Sequence, residues 1–225
     1  MRSEADVDAF RVDAMEQFGE ETPLAEYYTA CYEACVPRTF WDVKRADVQY
    51  NREPFRKLVC RYCAKRKKAL RNGYSLLFLG DNGVGKTMFM SYVLTQMIKR
   101  GNTVYYTTLA SFDVDLKRGF GSTPHQERLD VMLSSDFVAI DEVGKEYFRA
   151  DSYLNSRLEL LMKHRCDEGE PVIMGTNLDF ETLVEMYGSS MASMWEGKYQ
   201  QVFLETGDFR RTVAAKMRRE MGYED

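Results

Sequence analysis

The chain has 225 residues, 44% hydrophobic and 29% charged, with a formal net charge of -4. That length buries one sizeable core with room for a small appendage, and is too short for two full domains. No apolar run approaches the roughly 18 residues that span a bilayer, and no signal-peptide pattern opens the chain. Five cysteines, an odd number, fit free thiols in a reducing compartment better than a secreted disulfide framework, so a cytoplasmic protein without a membrane partner is expected.

Residues 1 to about 72 read as a small helical region in which charge reverses sign. The first 30 residues hold eight acids against two arginines, whereas Arg38 to Arg71 holds twelve Lys or Arg against Asp42, Asp47 and Glu53. The acidic arm suits a protein partner. The densest basic run, RYCAKRKKALR from Arg61 to Arg71, reads either as a solvated helix face or as a phosphate-contacting patch. In LAEYYTACYEAC, Leu24, Tyr27, Tyr28 and Cys31 recur at helical spacing until Pro37 breaks the pattern. Cys31, Cys35, Cys60 and Cys63 have a spacing that zinc accepts. The helical pattern favours cysteine as a small apolar core residue, and no metal cluster is assigned.

Asn72-Gly73 caps this region, and from Tyr74 the pattern changes. YSLLFLG is a continuous apolar run, expected of a strand buried on both faces of a parallel sheet. A helix over Lys86 to Arg100 follows, then the β-rich TVYYTT, and then the helical segments LASFDVDLKRGF and HQERLDVMLSS. FVAIDE, a helix over Ser152 to Asp167, and PVIMGTN come next. The chain closes with a short helix over Phe180 to Tyr187, GSSMASMWEGKYQQ, QVFLE, and a last helix from Asp208 to about Met221. Five strands alternating with helices predict an α/β fold with a five-stranded parallel sheet between helices. The expected division is a helical part at 1–72 and a core at 73–225.

Gly80 to Thr87 reads GDNGVGKT and matches G-x-x-x-x-G-K-[ST] between a buried strand and a helix, the context a phosphate-binding P-loop requires. Its glycines let backbone N–H groups wrap phosphate oxygens, and the helix N-terminus faces the same anion. The expected nucleotide cradle is Gly80, Asp81, Asn82, Gly83, Val84, Gly85, Lys86, Thr87 and Met88. Within it, Lys86 reaches the outer phosphates and Thr87 ligates Mg²⁺.

Asp141 and Glu142 end the apolar strand DFVAIDE. In a parallel sheet that end lies beside the phosphate loop. Asp141 is the expected Mg²⁺ ligand and Glu142 the expected general base for the attacking water. A third strand ends in GTN, where Thr176 or Asn177 is able to meet the terminal phosphate. Asn177 is preferred, because its amide both donates and accepts. GDFRR adds Arg210 and Arg211, one of which is placed to lean onto a phosphate.

With these pieces in order, residues 35 to 215 or so resemble the AAA+ ATPases of the bacterial replicative helicase-loader type, and the related insertion-sequence transposition helpers. The resemblance rests on CVPRTFWDV, SLLFLGDNGVGKT, LKRGFGSTPHQERLDVMLSSDFVAIDEVG, LLMKHRCDEGEPVIMGTNL and GDFRR. It implies a P-loop AAA+ core without a separate C-terminal lid domain, with ATP and Mg²⁺ as cofactors. Asn177 becomes the polar sensor and Arg210 the late sensor arginine, and the first 70 residues face a replicative ring helicase. Lys117, Arg118 and Phe120 become contacts for single-stranded DNA, through cationic and stacking interactions. One departure stands out. Relatives carry an arginine in a short helix before the last strand, which reaches a neighbour's ATP site. Here no arginine occurs between Cys166 and Phe209. The matching positions fall near Met194 and Trp195, which with Met191 are expected to present an apolar surface, and Lys198 lacks the guanidinium fork. The implied function is an ATP-dependent helicase loader, with slow or partner-stimulated turnover. The alternatives are a transposition helper that binds duplex DNA and a transposase, or a nucleotide-gated adaptor that does not hydrolyse ATP.

Overall fold

Five short apolar runs form five parallel strands in a computed structural model that describes residues 4–18, 23–44, 53–118, 123–145 and 152–204. They are β1 (Ser75–Leu79), β2 (Val104–Thr108), β3 (Phe137–Val143), β4 (Val172–Thr176) and β5 (Tyr199–Phe203), in the spatial order β2-β3-β4-β1-β5. The order places β4 between β1 and β3, paired in parallel register to both. The ends of β1, β3 and β4 therefore converge on one edge of the sheet.

The helices cover both faces. Before the sheet come α1 (Glu4–Phe18), α2 (Pro23–Glu33), a 3-10 turn at Arg38–Phe40, α3 (Glu53–Ala64) and α4 (Arg66–Asn72). After β1 the helices are α5 (Lys86–Ile98), α6 (Leu109–Arg118), α7 (Thr123–Ser134), α8 (Ser152–Asp167) and α9 (Phe180–Lys198). Successive strand side chains alternate between two cores, as the period of two requires. Leu76, Phe78, Phe137, Ala139 and Ile173 enter the core shared with α5. Leu77, Leu79, Val138, Ile140 and Met174 enter the one beneath α6 to α9. Both faces being covered explains why the strands read as continuous apolar runs.

The helical region before residue 73 joins the first core through Cys31, Val36, Trp41, Val59, Cys63 and Ala69. Leu24, expected on the buried face of α2, is instead exposed, and Ala25, Thr29 and Cys31 face inward. The run expected as one helix up to Asn72 turns at Lys65, which divides α3 from α4. At the sheet edge the Tyr106 N–H donates to the Ala34 carbonyl at 2.8 Å, so the segment after α2 protects part of the open edge of β2. On the other face Arg165 is fully buried, donating to the carbonyls of Met132 (2.9 Å) and Ser135 (2.7 Å) and pairing with Glu170 at 3.0 Å. It ties the end of α7 to α8. Among the described residues no helix is long and apolar enough to cross a membrane.

Candidate nucleotide site

The loop from Gly80 to Gly85 links β1 to α5, with Gly80, Gly83 and Gly85 at φ 144°, 81° and 93°. At Gly80 any side chain is excluded, because a Cβ would lie 2.3 Å from the Leu204 carbonyl oxygen where β5 ends. Val84 is buried and anchors the loop to the first core. Asp81 and Asn82 are exposed, and Met88 packs at the core margin. Lys86, nearly buried, folds back across the loop and donates to the carbonyls of Gly80 (2.6 Å) and Asp81 (2.7 Å). The first-turn N–H groups of α5 face the same concavity.

Two strands away, Asp141 reaches the loop. Its Oδ2 accepts from the Thr87 hydroxyl at 2.6 Å and from the Tyr106 hydroxyl at 3.0 Å, and its Oδ1 accepts from the Glu142 N–H at 2.8 Å. Both oxygens are thus engaged on a carboxylate that is 3% exposed. Room for it is made by Gly175 of β4, where a Cβ would lie 2.5 Å from Asp141 Oδ1 and 2.7 Å from Met90 Sδ. Tyr106 was not foreseen from the sequence. Burial first, and then the Asp141 charge, push its phenol well above the usual range, so it stays a neutral donor. The available signal was the alternation of TVYYTT: Tyr105 goes to the second core, which turns Tyr106 toward α5.

Glu142 adopts φ 62°, a left-handed backbone rare outside glycine and Asn/Asp. The pairing of β3 with β4 slips between Ile140 and Val143 at the same place. Such a bulge re-aims a side chain at the strand end. The carboxylate is half exposed and pairs with Lys145 Nζ. Asn177, at the end of β4, donates from Nδ2 to Asn82 Oδ1 of the phosphate loop at 3.0 Å. Thr176, the other residue weighed for that position, gives its hydroxyl to the Val143 carbonyl at 2.8 Å and is fully buried. Lys86 and Thr87 at the start of α5, Asp141 and Glu142 at the end of β3, and Asn177 just after β4 therefore lie together at the phosphate-loop end of the sheet.

Other expected residues lie elsewhere. Lys117 and Arg118 end α6, Lys117 pairing with Asp113 at 2.5 Å, and Phe120 falls outside the described residues. Arg210 and the last expected helix also fall outside them. The stretch from Gly188 to Lys198 corrects one expectation. It continues α9 past a kink at Gly188 (φ 84°, ψ 172°), and Met191 and Trp195 are buried rather than presented as an apolar surface. Trp195 lies edge-on to Tyr187 and Phe180, at 5.8 and 6.3 Å between ring centroids. The outward positions are Ser189, Ser190, Ser193, Glu196 and Gly197. Lys198 donates to the Asn72 carbonyl at 3.1 Å. Its neighbour Tyr199 pairs with Ser75, the first residue of β1, so it stands a strand's length, roughly 16 Å, from its own phosphate loop. Cys31 and Cys63 are buried, and burial pushes both thiols up to about 12. Among the described residues no three His, Cys, Asp or Glu gather as a metal site.

The parallel order, the glycine loop and the acidic strand end define a P-loop ATPase fold of the AAA+ class. Residues 64–194 match the model of the IstB-like ATP-binding protein family, and the chain belongs to that family. It is 34% identical over 74 residues to an insertion-sequence IS21-like ATP-binding protein of Bacteroides fragilis, covering 33% of this chain and 37% of that one. It is 24% identical over 145 residues to the replicative helicase loader DnaC of Escherichia coli, covering 63% of this chain and 58% of that one. The chain thus spans between about a third and three fifths of these relatives' lengths. Among solved structures, the DnaC helicase loader superposes with TM-score 0.65 at 17% identity, over 75% of this chain and 99% of that one. DnaI superposes with TM-score 0.62 at 20% identity, over 75% and 93%.

Proposed function

We propose that the protein is a Mg²⁺-dependent ATPase that loads or remodels a replicative ring helicase on single-stranded DNA. The observation that carries the ATPase part is Asp141 joined to Thr87 at 2.6 Å across the mouth of the phosphate loop. A hydroxyl and a carboxylate there are the hard oxygen donors that Mg²⁺ prefers, so Thr87 and Asp141 are its ligands. Held by Thr87 and Asp141, the ion would supply neutralisation of the charge that develops on the phosphates. Lys86 exchanges the loop carbonyls for the outer phosphates. Glu142 exchanges Lys145 for the attacking water and takes its proton, while Asn177 donates to the terminal phosphate. Arg210 is assigned as the late sensor.

The loader role is supported by the DnaC likeness, which extends beyond the phosphate loop over 145 residues. Residues 1–72 serve as the helicase-facing part, with the acidic arm leading, and residues 73–225 as the ATPase core. Lys117, Arg118 and Phe120 remain proposed DNA contacts. The protein acts in the cytoplasm. A second reading, a transposition helper that binds duplex DNA and a transposase, is favoured by the 34% identity to the IS21-like protein.

The test compares wild type, Lys86→Ala and Glu142→Gln for binding of a fluorescent ATP analogue and for phosphate release, with and without ring helicase and single-stranded DNA. Lys86→Ala is expected to abolish binding, and Glu142→Gln to retain binding and lose turnover. Binding that survives Lys86→Ala defeats the ATPase reading. Turnover untouched by Glu142→Gln under every condition leaves a nucleotide-gated adaptor. Stimulation by duplex DNA and transposase, and not by helicase, selects the second reading.

A further inference from the structure

At the end of the sheet opposite the phosphate loop, a groove of about 610 Å³ opens between α3, α4 and the start of β5. Lys57, Arg61, Lys65 and Lys68 line it from one side, and Lys198 closes it from the other. The first four recur at intervals of four, four and three residues across α3, the turn at Lys65 and α4, so they line one side of the groove. Lys198 comes from the far end of α9 and is held there by the Asn72 carbonyl at 3.1 Å, which leaves further ammonium donors for a ligand. Five cations therefore face one concavity, and among the described residues no carboxylate lines it.

The groove also carries aromatic surface. Tyr74 is 42% exposed on its wall. The Tyr62 hydroxyl donates to the Tyr74 carbonyl at 2.7 Å and fixes the backbone that presents that ring. A cationic track beside an exposed aromatic face is the physical means by which single strands are held, through phosphate pairing and base stacking. An acidic peptide would satisfy the cations and leave the ring unused.

We propose that this groove binds the phosphodiester backbone of a single-stranded nucleic acid, with Tyr74 stacking on a base. It extends the single-strand part of the reading above to a second surface, and is independent of the ATP assignment. In the linear sequence the basic run reads either as a solvated helix face or as a phosphate-contacting patch, the first favoured. Its convergence with Lys198 and Tyr74 supplies the reason to choose.

The experiment measures anisotropy of a labelled oligothymidylate with the full chain over a series of NaCl concentrations. Arg61→Gln with Lys68→Gln is expected to weaken binding at least tenfold at low salt. It should also flatten the slope of log K against log salt by about 1.4, which is two single-strand phosphates at roughly 0.7 each. Tyr74→Ala is expected to weaken binding about fivefold and leave the slope unchanged. Binding of the ATP analogue is read in parallel; its retention shows that the variants are folded. Affinity within twofold of wild type and an unchanged slope in the double variant overturn the proposal, as does a wild type that binds no oligonucleotide. If oligonucleotide binding is unchanged while ATP turnover falls in a protein-concentration-dependent way, the groove faces the phosphates of a second copy and the proposal is likewise overturned.

Discussion

Gly175→Ala tests the site through the smallest possible change, one methyl group on the strand between the phosphate loop and Asp141. The new Cβ would stand 2.5 Å from Asp141 Oδ1, about 0.9 Å inside the 3.4 Å at which ordinary contact begins, and 2.7 Å from Met90 Sδ. Met90 is fully buried on α5 and has little space to yield. Asp141 moves at the expense of its bonds to the Glu142 N–H and the Thr87 hydroxyl. Overpacking a buried site by one methyl costs about 1–3 kcal/mol, and in a chain of this size each kcal/mol lowers Tm by about 2–4 °C. The functional cost is larger, since displacing a positioned group by about 1 Å costs on the order of 10²-fold in rate.

The assay is Mg²⁺ titration of ATP turnover, with thermal unfolding measured on the same preparations. The expected outcome is a modest loss of Tm, a raised Mg²⁺ half-saturation and a rate lowered by about 10²-fold, with the binding of nucleotide without Mg²⁺ retained. A variant with wild-type Mg²⁺ dependence and wild-type rate would refute the placement of Asp141 as the carboxylate that Gly175 accommodates.

Outcomes at four further positions are expected. Tyr106→Phe removes one hydroxyl donor from Asp141 Oδ2 and should raise the Mg²⁺ half-saturation about fivefold, the equivalent of about 1 kcal/mol for one such bond, with Tm nearly unchanged; the same titration reads it. Arg165→Met leaves the carbonyls of Met132 and Ser135 unpaired in the core and the part-exposed Glu170 without its partner, and thermal unfolding should show a loss of about 3–5 kcal/mol, at about 1–3 kcal/mol for each buried group left unpaired, with Arg165→Lys intermediate because it lacks the planar fork. Met194→Arg, at a half-buried position on the outer half of α9, should raise turnover at high protein concentration if a missing cation limits the rate. Trp195→Arg should instead unfold the chain, because it places a charge in the second core.

What was legible in the sequence depended on how local its cause is. Strand, glycine loop and helix succeed one another within a dozen residues around Lys86, so period and motif sufficed. That Asp141 and Asn177 end strands on the same side of the sheet as the phosphate loop was legible, because all strands of a parallel sheet point the same way; how near they lie depends on the order β3-β4-β1. Gly175 was opaque, because its reason is a carboxylate 34 positions earlier in the chain. Tyr106 was opaque for the same reason, since nothing in TVYYTT says that β2 lies beside β3. The stretch after Gly188 misled in a more instructive way. Met191, Met194 and Trp195 follow the three- and four-residue spacing of a helical stripe, and the positive φ at Gly188 lets a second helical segment start at the angle that buries Met191 and Trp195 and packs the half-buried Met194 against the same core. An apolar triplet standing where relatives present a cation was read as surface by analogy of position, whereas its own periodicity already assigned it to the core. The outward face of that segment is Ser189, Ser190, Ser193 and Glu196. Among the described residues, none of these outward positions carries a cation.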